Sequence, residues 1–215
     1  MTDIDREVRQ FDSCFRQLLG LTELCGIEIT AGEESSPFEA SKDYHTDGRE
    51  ESAEDMSCLR PKDAQVVFIS TSPEGEVIVR MPASARHPFL DFRVKPSMVR
   101  VGQFPPDSVF VCLLFVDRNL QVVLGVFDVL RLEGDGDVAC ERSLQRHARV
   151  AKTINSRMVS QSTERGVVRH HWAGFRESCN HLLTPETAAG LPFEIDPNTP
   201  LVVLPGVCGK GCNVA

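Results

Sequence analysis

The fold is decided by the stretch from Val109 to Leu132, which reads V-F-V-C-L-L-F-V-D-R-N-L-Q-V-V-L-G-V-F-D-V-L-R-L. Two apolar runs flank Asp117-Arg118-Asn119, and short apolar runs separated by turn residues are typical of strands. The stretch therefore predicts a hairpin with a tight turn at Asp117-Arg118-Asn119. Because both strands are almost continuously apolar, we expect both faces of the hairpin to be covered.

Similar patterns predict further elements on either side of this hairpin. A second hairpin is predicted over 65–81, around the turn sequence Ser72-Pro73-Glu74-Gly75. Short strands are predicted over 92–94, 167–172 and 201–204, and amphipathic helices over 4–24 and 139–158. Periodicity in the second helix places four apolar residues inward, namely Leu144, Ala148, Ala151 and Ile154. It spreads the bases around the outer face, namely Arg142, Arg146, Arg149, Lys152 and Arg157.

The order of these elements predicts an α+β fold built on antiparallel β-sheets with an N-terminal helix. Residues 1–29 are expected to form an amphipathic helix that packs on the core. Residues 30–61, rich in Glu, Ser, Asp and Gly, are expected to be a flexible acidic loop. Residues 62–205 would form a single α+β domain, followed by a flexible Cys/Gly tail over 206–215.

Charge is unevenly distributed along the 215 residues, whose net charge is −8. Residues 1–60 carry 15 acids and 6 bases, a balance of −9, whereas residues 141–181 carry 3 acids and 8 bases, a balance of +5. The overall charge argues against general affinity for nucleic acid. The basic segment, however, could meet a phosphate.

Eight cysteines are scattered along the chain without a C-x-x-C pair, and the acidic start is unlike a secretory signal. These features predict free thiols in a reducing compartment, the cytoplasm, the nucleus or both. They also argue against a structural zinc site. No run of apolar residues is long enough to predict a membrane-spanning helix.

Motifs of catalysis and of cofactor binding are missing from the sequence. There is no G-x-S-x-G elbow, phosphate-binding loop, dinucleotide fingerprint or H-E-x-x-H. We therefore predict a protein that is not an enzyme and that uses no cofactor or metal.

The basic segment contains the only tryptophan of the chain. Arg169, His171, Trp172 and Arg176 place an aromatic plane among cations, a combination that suits a nucleotide or RNA because bases stack on indoles and phosphates pair with arginine. The alternative is a core tryptophan on a strand flanked by solvated charges.

The C-terminus, Cys212-Asn213-Val214-Ala215, fits the C-a-a-X pattern, which predicts prenylation at Cys212. Asn213 is polar where an aliphatic residue is usual, so an unmodified tail is the alternative. A single lipid would give only weak membrane association.

From the central hairpin onward, the chain resembles the nucleotidyltransferase domain of messenger-RNA capping enzymes and the snurportin cap-binding domain of the same fold. The resemblance is carried by Val116-Asp117-Arg118, by Phe127-Asp128-Val129-Leu130 with Gly134, and by the stretch Leu191 to Asp196. Upstream, Thr46-Asp47-Gly48 resembles part of the nucleophile motif K-x-D-G-x-R. The best-matching part covers roughly residues 65–204 and implies a nucleotidyltransferase-like fold.

Departures from the family pattern imply that its catalytic motifs are lost. His45 stands at the position of the nucleophilic lysine, Glu50 at that of the arginine, and Val111-Cys112-Leu113 at that of D-G-E. Lysine–nucleotidyl chemistry requires the amine, and metal-assisted phosphoryl transfer requires carboxylates. The resemblance thus implies a pseudoenzyme: a binding module for an RNA cap, a nucleotide or a protein partner. The alternative is a protein-interaction subunit without a nucleotide site, membrane-associated through a prenylated Cys212.

Overall fold

A computed structural model describes residues 27–31, 44, 56–74, 76–82, 89–94, 104–118, 122–157, 167–170, 191, 193–198 and 201–204. Its strands are β1 (Ile27–Ala31), β2 (Met56–Leu59), β3 (Gln65–Thr71), β4 (Val77–Pro82), β5 (Phe89–Val94), β6 (Ser108–Val116), β7 (Val122–Leu132), β8 (Gly136–Asp137), β9 (Val167–His170) and β10 (Leu201–Leu204). A helix, α1, spans Ser143–Arg157.

One large sheet organises these elements. Its eight strands follow the order β1-β5-β4-β3-β6-β7-β8, and β9 also pairs with β7. All its ladders are antiparallel except the parallel one between β7 and β9. Strands β2 and β10 form a separate antiparallel pair. The predicted α+β class with antiparallel sheets is confirmed, whereas the helix predicted over 4–24 lies outside the described residues.

Strands β6 and β7 are the predicted central hairpin and lie inside the large sheet, between β3 on one side and β8 and β9 on the other. Every residue of β6 from Val109 to Phe115 is at most 4% exposed, so both faces of this strand are covered as predicted. The hairpin over 65–81 is also confirmed, as β3 and β4. Long apolar runs are favourable here because burial removes apolar surface from water on both sides of the sheet.

An apolar cluster joins the large sheet to the β2–β10 pair. It contains Phe68, Val111 and Phe127 from the large sheet and Cys58 and Val202 from the small one. Cys58 lies directly opposite Val202 in the β2–β10 ladder. Strand β2 falls inside the stretch 30–61 that the sequence predicts as a flexible acidic loop. That stretch also supplies the end of β1 and the buried residue Tyr44.

Helix α1 presents a different face to the core from the one that periodicity predicts. Leu144 is 46% exposed and Ala148 is exposed, while Ser143, Arg146 and Val150 are fully buried. The predicted inward position of Leu144 and Ala148 is therefore wrong, as is the outward position of Arg146. Periodicity fails because it assigns every arginine to solvent, whereas Arg146 has a buried carboxylate to pair with.

The expectation of free thiols holds at two positions and fails at a third. Cys58 and Cys112 are buried thiols outside any disulfide, but Cys140, in the turn before α1, is disulfide-bonded. Sequence spacing alone cannot show which cysteines meet in space, which is why this bond was not predicted.

Candidate functional site

The Asp128 site, defined as Asp128, Arg146 and Tyr44, is a group of buried side chains joined by hydrogen bonds. Asp128 belongs to the F-D-V-L motif on β7. There the register passes from Val111 opposite Asp128 to Cys112 opposite Val126, so Phe127 is an extra residue in the strand. Such a β-bulge disrupts the regular alternation and redirects side chains. The β-bulge therefore lies next to Asp128, the only charged residue between Val122 and Leu130.

Four donors converge on the two carboxylate oxygens of Asp128. Arg146 donates from Nε to Oδ1 over 3.0 Å and from Nη2 to Oδ2 over 2.9 Å. The hydroxyl of Tyr44 donates to Oδ2 over 2.8 Å, and the backbone N–H of Val129 donates to Oδ1 over 2.8 Å. The side chains of Asp128 and Arg146 are both 0% exposed. Charge-assisted hydrogen bonds in this bidentate geometry are among the strongest in proteins, and they offset the cost of removing the carboxylate from water.

Tyr44 reaches this site from the acidic stretch between β1 and β2. Its ring meets Phe68 edge-on at a centroid distance of 5.8 Å and Phe127 at 6.5 Å. Aromatic burial and the hydroxyl bond to Asp128 thus act together. Tyr44 therefore anchors the acidic stretch to the large sheet.

This arrangement gives Asp128 a structural role. A general base or a metal ligand needs lone pairs that are available to substrate or ion. Both oxygens of Asp128 are occupied by donors of the chain itself, and the group is closed to solvent. Within the described residues, no group of three His, Cys, Asp or Glu side chains is placed to hold a metal ion.

His147 lies beside the Asp128 site on α1. Burial lowers the pKa of this imidazole from its ordinary value of 6.5, and a hydrogen bond with the backbone of Phe127 and the charge of Asp128 partly oppose the shift. The folded protein therefore favours the neutral imidazole. Burial likewise raises the pKa of the Cys112 thiol on β6, which keeps this thiol protonated and unreactive.

A second group of contacts ties the stretch 191–196 to the turn between β2 and β3. Lys62 N–H donates to the Glu194 carbonyl over 2.8 Å, and Asp196 N–H donates to the Arg60 carbonyl over 2.9 Å. The Phe193 ring meets Phe115 of β6 at 5.5 Å. Phe193, in the stretch that carries part of the family resemblance, therefore packs against the large sheet. Lys62 Nζ also forms an ion pair with the Glu194 carboxylate at 3.5 Å, and both of these side chains are more than half exposed.

A groove of about 310 Å³ lies between α1 and the turn after β7. Its lining includes Leu132, Glu133, Asp135, Arg149 and Lys152. Arg149 already donates to Asp135 over 2.6 Å and to both Glu141 carboxylate oxygens over 2.6 and 2.7 Å. The hydrogen bond with Glu141 is the main reason that the pKa of Arg149 is raised. Opposite charges balance within the groove, which therefore favours no particular ligand.

Of the residues predicted to bind nucleotide, the structure describes one. Arg169 lies on β9, where its Cα is opposite Gly125 of β7. His171, Trp172 and Arg176 lie outside the described residues, and so does the predicted lipidation site Cys212. Arg169 thus lies on the strand that runs beside the F-D-V-L strand.

Sequence reasoning missed the roles of Tyr44 and Arg146. The available signal was the aspartate of the F-D-V-L motif, an acid inside an otherwise apolar strand that must have a partner if it is buried. Nothing local identifies that partner, because Tyr44 and Arg146 are 84 and 18 residues away.

No known protein-family model matches the sequence, and no curated protein matches it either. Within the described ranges, no helix combines the length and the hydropathy that a membrane crossing requires.

Proposed function

We propose that the chain is a non-catalytic binding module that recognises an RNA cap or a nucleotide end. Supporting this is the parallel pairing of β9 with β7, in which Arg169 lies opposite Gly125, three residues before Asp128. Arg169 and the strand that carries the family-like motif are therefore neighbours in one sheet. Arg169 and Arg176 would pair with phosphates, His171 would add a further polar contact, and Trp172 would stack on the base.

Two features of the Asp128 site and its neighbour β6 support a non-catalytic role. Val111, Cys112 and Leu113 occupy the D-G-E position of the resemblance, and each is 0% exposed. Both carboxylate oxygens of Asp128 already accept hydrogen bonds from Arg146 or Tyr44. Neither strand offers a carboxylate that could bind a metal and assist phosphoryl transfer.

Titration with a cap analogue tests the proposal, because Trp172 is the only tryptophan. We expect saturable quenching of its fluorescence and affinity that falls as salt rises. Replacing Arg169 with Ala should weaken binding about tenfold and lower the salt slope by about one. The matched control is Arg131→Ala, since Arg131 is exposed on β7 and paired with Asp107 at 2.9 Å. Unchanged fluorescence, together with equal retention of the analogue by Trp172→Ala in equilibrium dialysis, would refute the proposal.

The proposed lack of nucleotidyltransferase activity needs a separate measurement. Incubation with labelled GTP or ATP, followed by denaturing electrophoresis, should leave the chain unlabelled. A label that survives denaturation would show a covalent nucleotide adduct, and therefore an active nucleotidyltransferase.

A further inference from the structure

The large sheet has two apolar faces. On β6, Val111 and Leu113 belong to the apolar cluster that the large sheet shares with the β2–β10 pair. Successive residues of a strand face opposite sides of its sheet, so Phe110, Cys112 and Leu114 lie on the other side, and they are buried as well. The second face is defined by these three residues and by the residues opposite them in the neighbouring strands.

The register of the ladders extends the second face across six strands. Residues directly opposite each other in an antiparallel sheet share a face. One row of such residues crosses β1, β5, β4, β3, β6 and β7 and is apolar at every position, namely Ile29, Phe92, Val79, Ile69, Phe110 and Val129. With strands about 4.8 Å apart, this apolar row is roughly 24 Å long. A single layer of chain on this side could therefore cover most of the sheet.

Burial along the apolar row shows that a layer of chain covers it. Val79, Ile69, Phe110 and Val129 are at most 2% exposed. Helix α1 packs against β7 and β9, and the Phe104 ring meets the Phe110 ring at 5.2 Å. These two neighbours lie beside β6 and β7. The burial of Ile69 and Val79, on β3 and β4, therefore calls for a further layer from residues outside the described ranges.

We propose that the amphipathic helix predicted over 4–24 is this layer and packs its apolar side on the second face. Val8, Phe11, Phe15 and Leu18 recur at the spacing of one helix side. A helix over 4–24 would be about 31 Å long, which is enough to cross the row of roughly 24 Å. The apolar side of the helix and the apolar row thus match in length and in character.

The connection to β1 places the helix at the same end of the sheet as the apolar row. Only Cys25 and Gly26 separate residue 24 from Ile27, the first residue of β1, and β1 contributes Ile29 to the row. Three peptide steps span at most about 11 Å, so the helix must end beside β1. Gly26 suits the left-handed conformation that commonly ends a helix. Because the β2–β10 pair already packs on the first face, the second face is the one left for the helix.

Thiol labelling of the full native chain tests the proposal, because Cys112 lies on the second face and Cys58 lies in the cluster on the first. Phe15→Glu would place a carboxylate against the apolar row and should detach the helix. We expect iodoacetamide to label Cys112 at least about tenfold faster than in the wild type, because the face opens locally. Cys58 should keep its wild-type rate. Mass spectrometry of the two cysteine peptides measures both rates in one sample.

Ser13→Glu is the matched control, because Ser13 lies on the opposite side of the predicted helix from Phe15, and both rates should stay unchanged. If Phe15→Glu unfolds the whole chain, both thiols react together, and the milder Phe15→Ala replaces it and should still label Cys112 ahead of Cys58. Wild-type protection of Cys112 in the folded variant overturns the proposal and assigns the cover to another segment or to a second copy. Equal acceleration by Ser13→Glu overturns the docking of the apolar side. None of these outcomes depends on the nucleotide site.

Discussion

Arg146 and Arg149 lie less than one turn apart on α1, and each donates two hydrogen bonds to one carboxylate, yet their surroundings differ. Arg146 pairs with Asp128, and both of these side chains are 0% exposed. Arg149 pairs with Glu141, and these side chains are 35% and 29% exposed. Water screens the second pair and is excluded from the first. Similar pair geometry therefore has a large energetic role only where losing one partner leaves the other charge buried.

Replacing Arg146 is expected to have the largest effect on stability. Arg146→Met would leave the Asp128 carboxylate buried with only Tyr44 and the Val129 N–H as donors. We expect a loss of about 3–5 kcal/mol in the free energy of unfolding. The matched variant Arg149→Met should cost less than about 1 kcal/mol, and that loss should shrink with salt. Urea unfolding of both variants measures the difference, and equal losses would show that burial does not distinguish the two pairs.

Tyr44→Phe is expected to have a smaller effect. The variant removes one hydrogen bond to Asp128 and keeps the ring contacts with Phe68 and Phe127. Because Arg146 still neutralises the carboxylate, the expected loss is about 1 kcal/mol. Urea unfolding measures it, and Tyr44→Ala, which also deletes the ring, should lose clearly more. If Tyr44→Phe were as damaging as Arg146→Met, Arg146 could not be the main partner of Asp128.

His147 is expected to give the smallest effect, visible only in acid. Its pKa in the folded protein lies below 6.5, so between that lower pKa and 6.5 the unfolded chain binds more protons than the folded one. The contribution of His147 to stability is therefore complete above pH 6.5 and is lost as the pH falls through this window. His147→Gln should flatten this part of the pH–stability curve. An NMR titration that gave His147 a pKa above 6.5 would contradict the assignment.

The strands were predictable because their pattern is local. The apolar runs around Asp117 and around Ser72-Pro73-Glu74-Gly75 predicted β6–β7 and β3–β4, and 201–204 matched β10. Strand β1 was not predicted, since five residues of alternating character in Ile27–Ala31 give little signal. The parallel pairing of β9 with β7 was also beyond the sequence, because strand order depends on contacts between distant segments.

The candidate site was harder to predict than the strands. The family resemblance singled out the F-D-V-L motif of the central hairpin, but the sequence assigned Arg146 to solvent and Tyr44 to a flexible loop. Both residues take their roles from Asp128, which lies in a different segment from each of them, so no periodicity within one element links them to it. A helix face is fixed by what it packs against. The face of α1 that meets the core carries Arg146, the partner of the buried Asp128 carboxylate, whereas Leu144 and Ala148 are exposed.

The sequence by itself determined that the chain forms antiparallel strand pairs around Val109–Leu132, because hydrophobic periodicity and turn chemistry act between near neighbours. Only the tertiary structure decided which residues Asp128 holds and which face of α1 is buried. Those outcomes depend on excluding water from a charge, and exclusion of water is a property of the assembled core rather than of any segment within it.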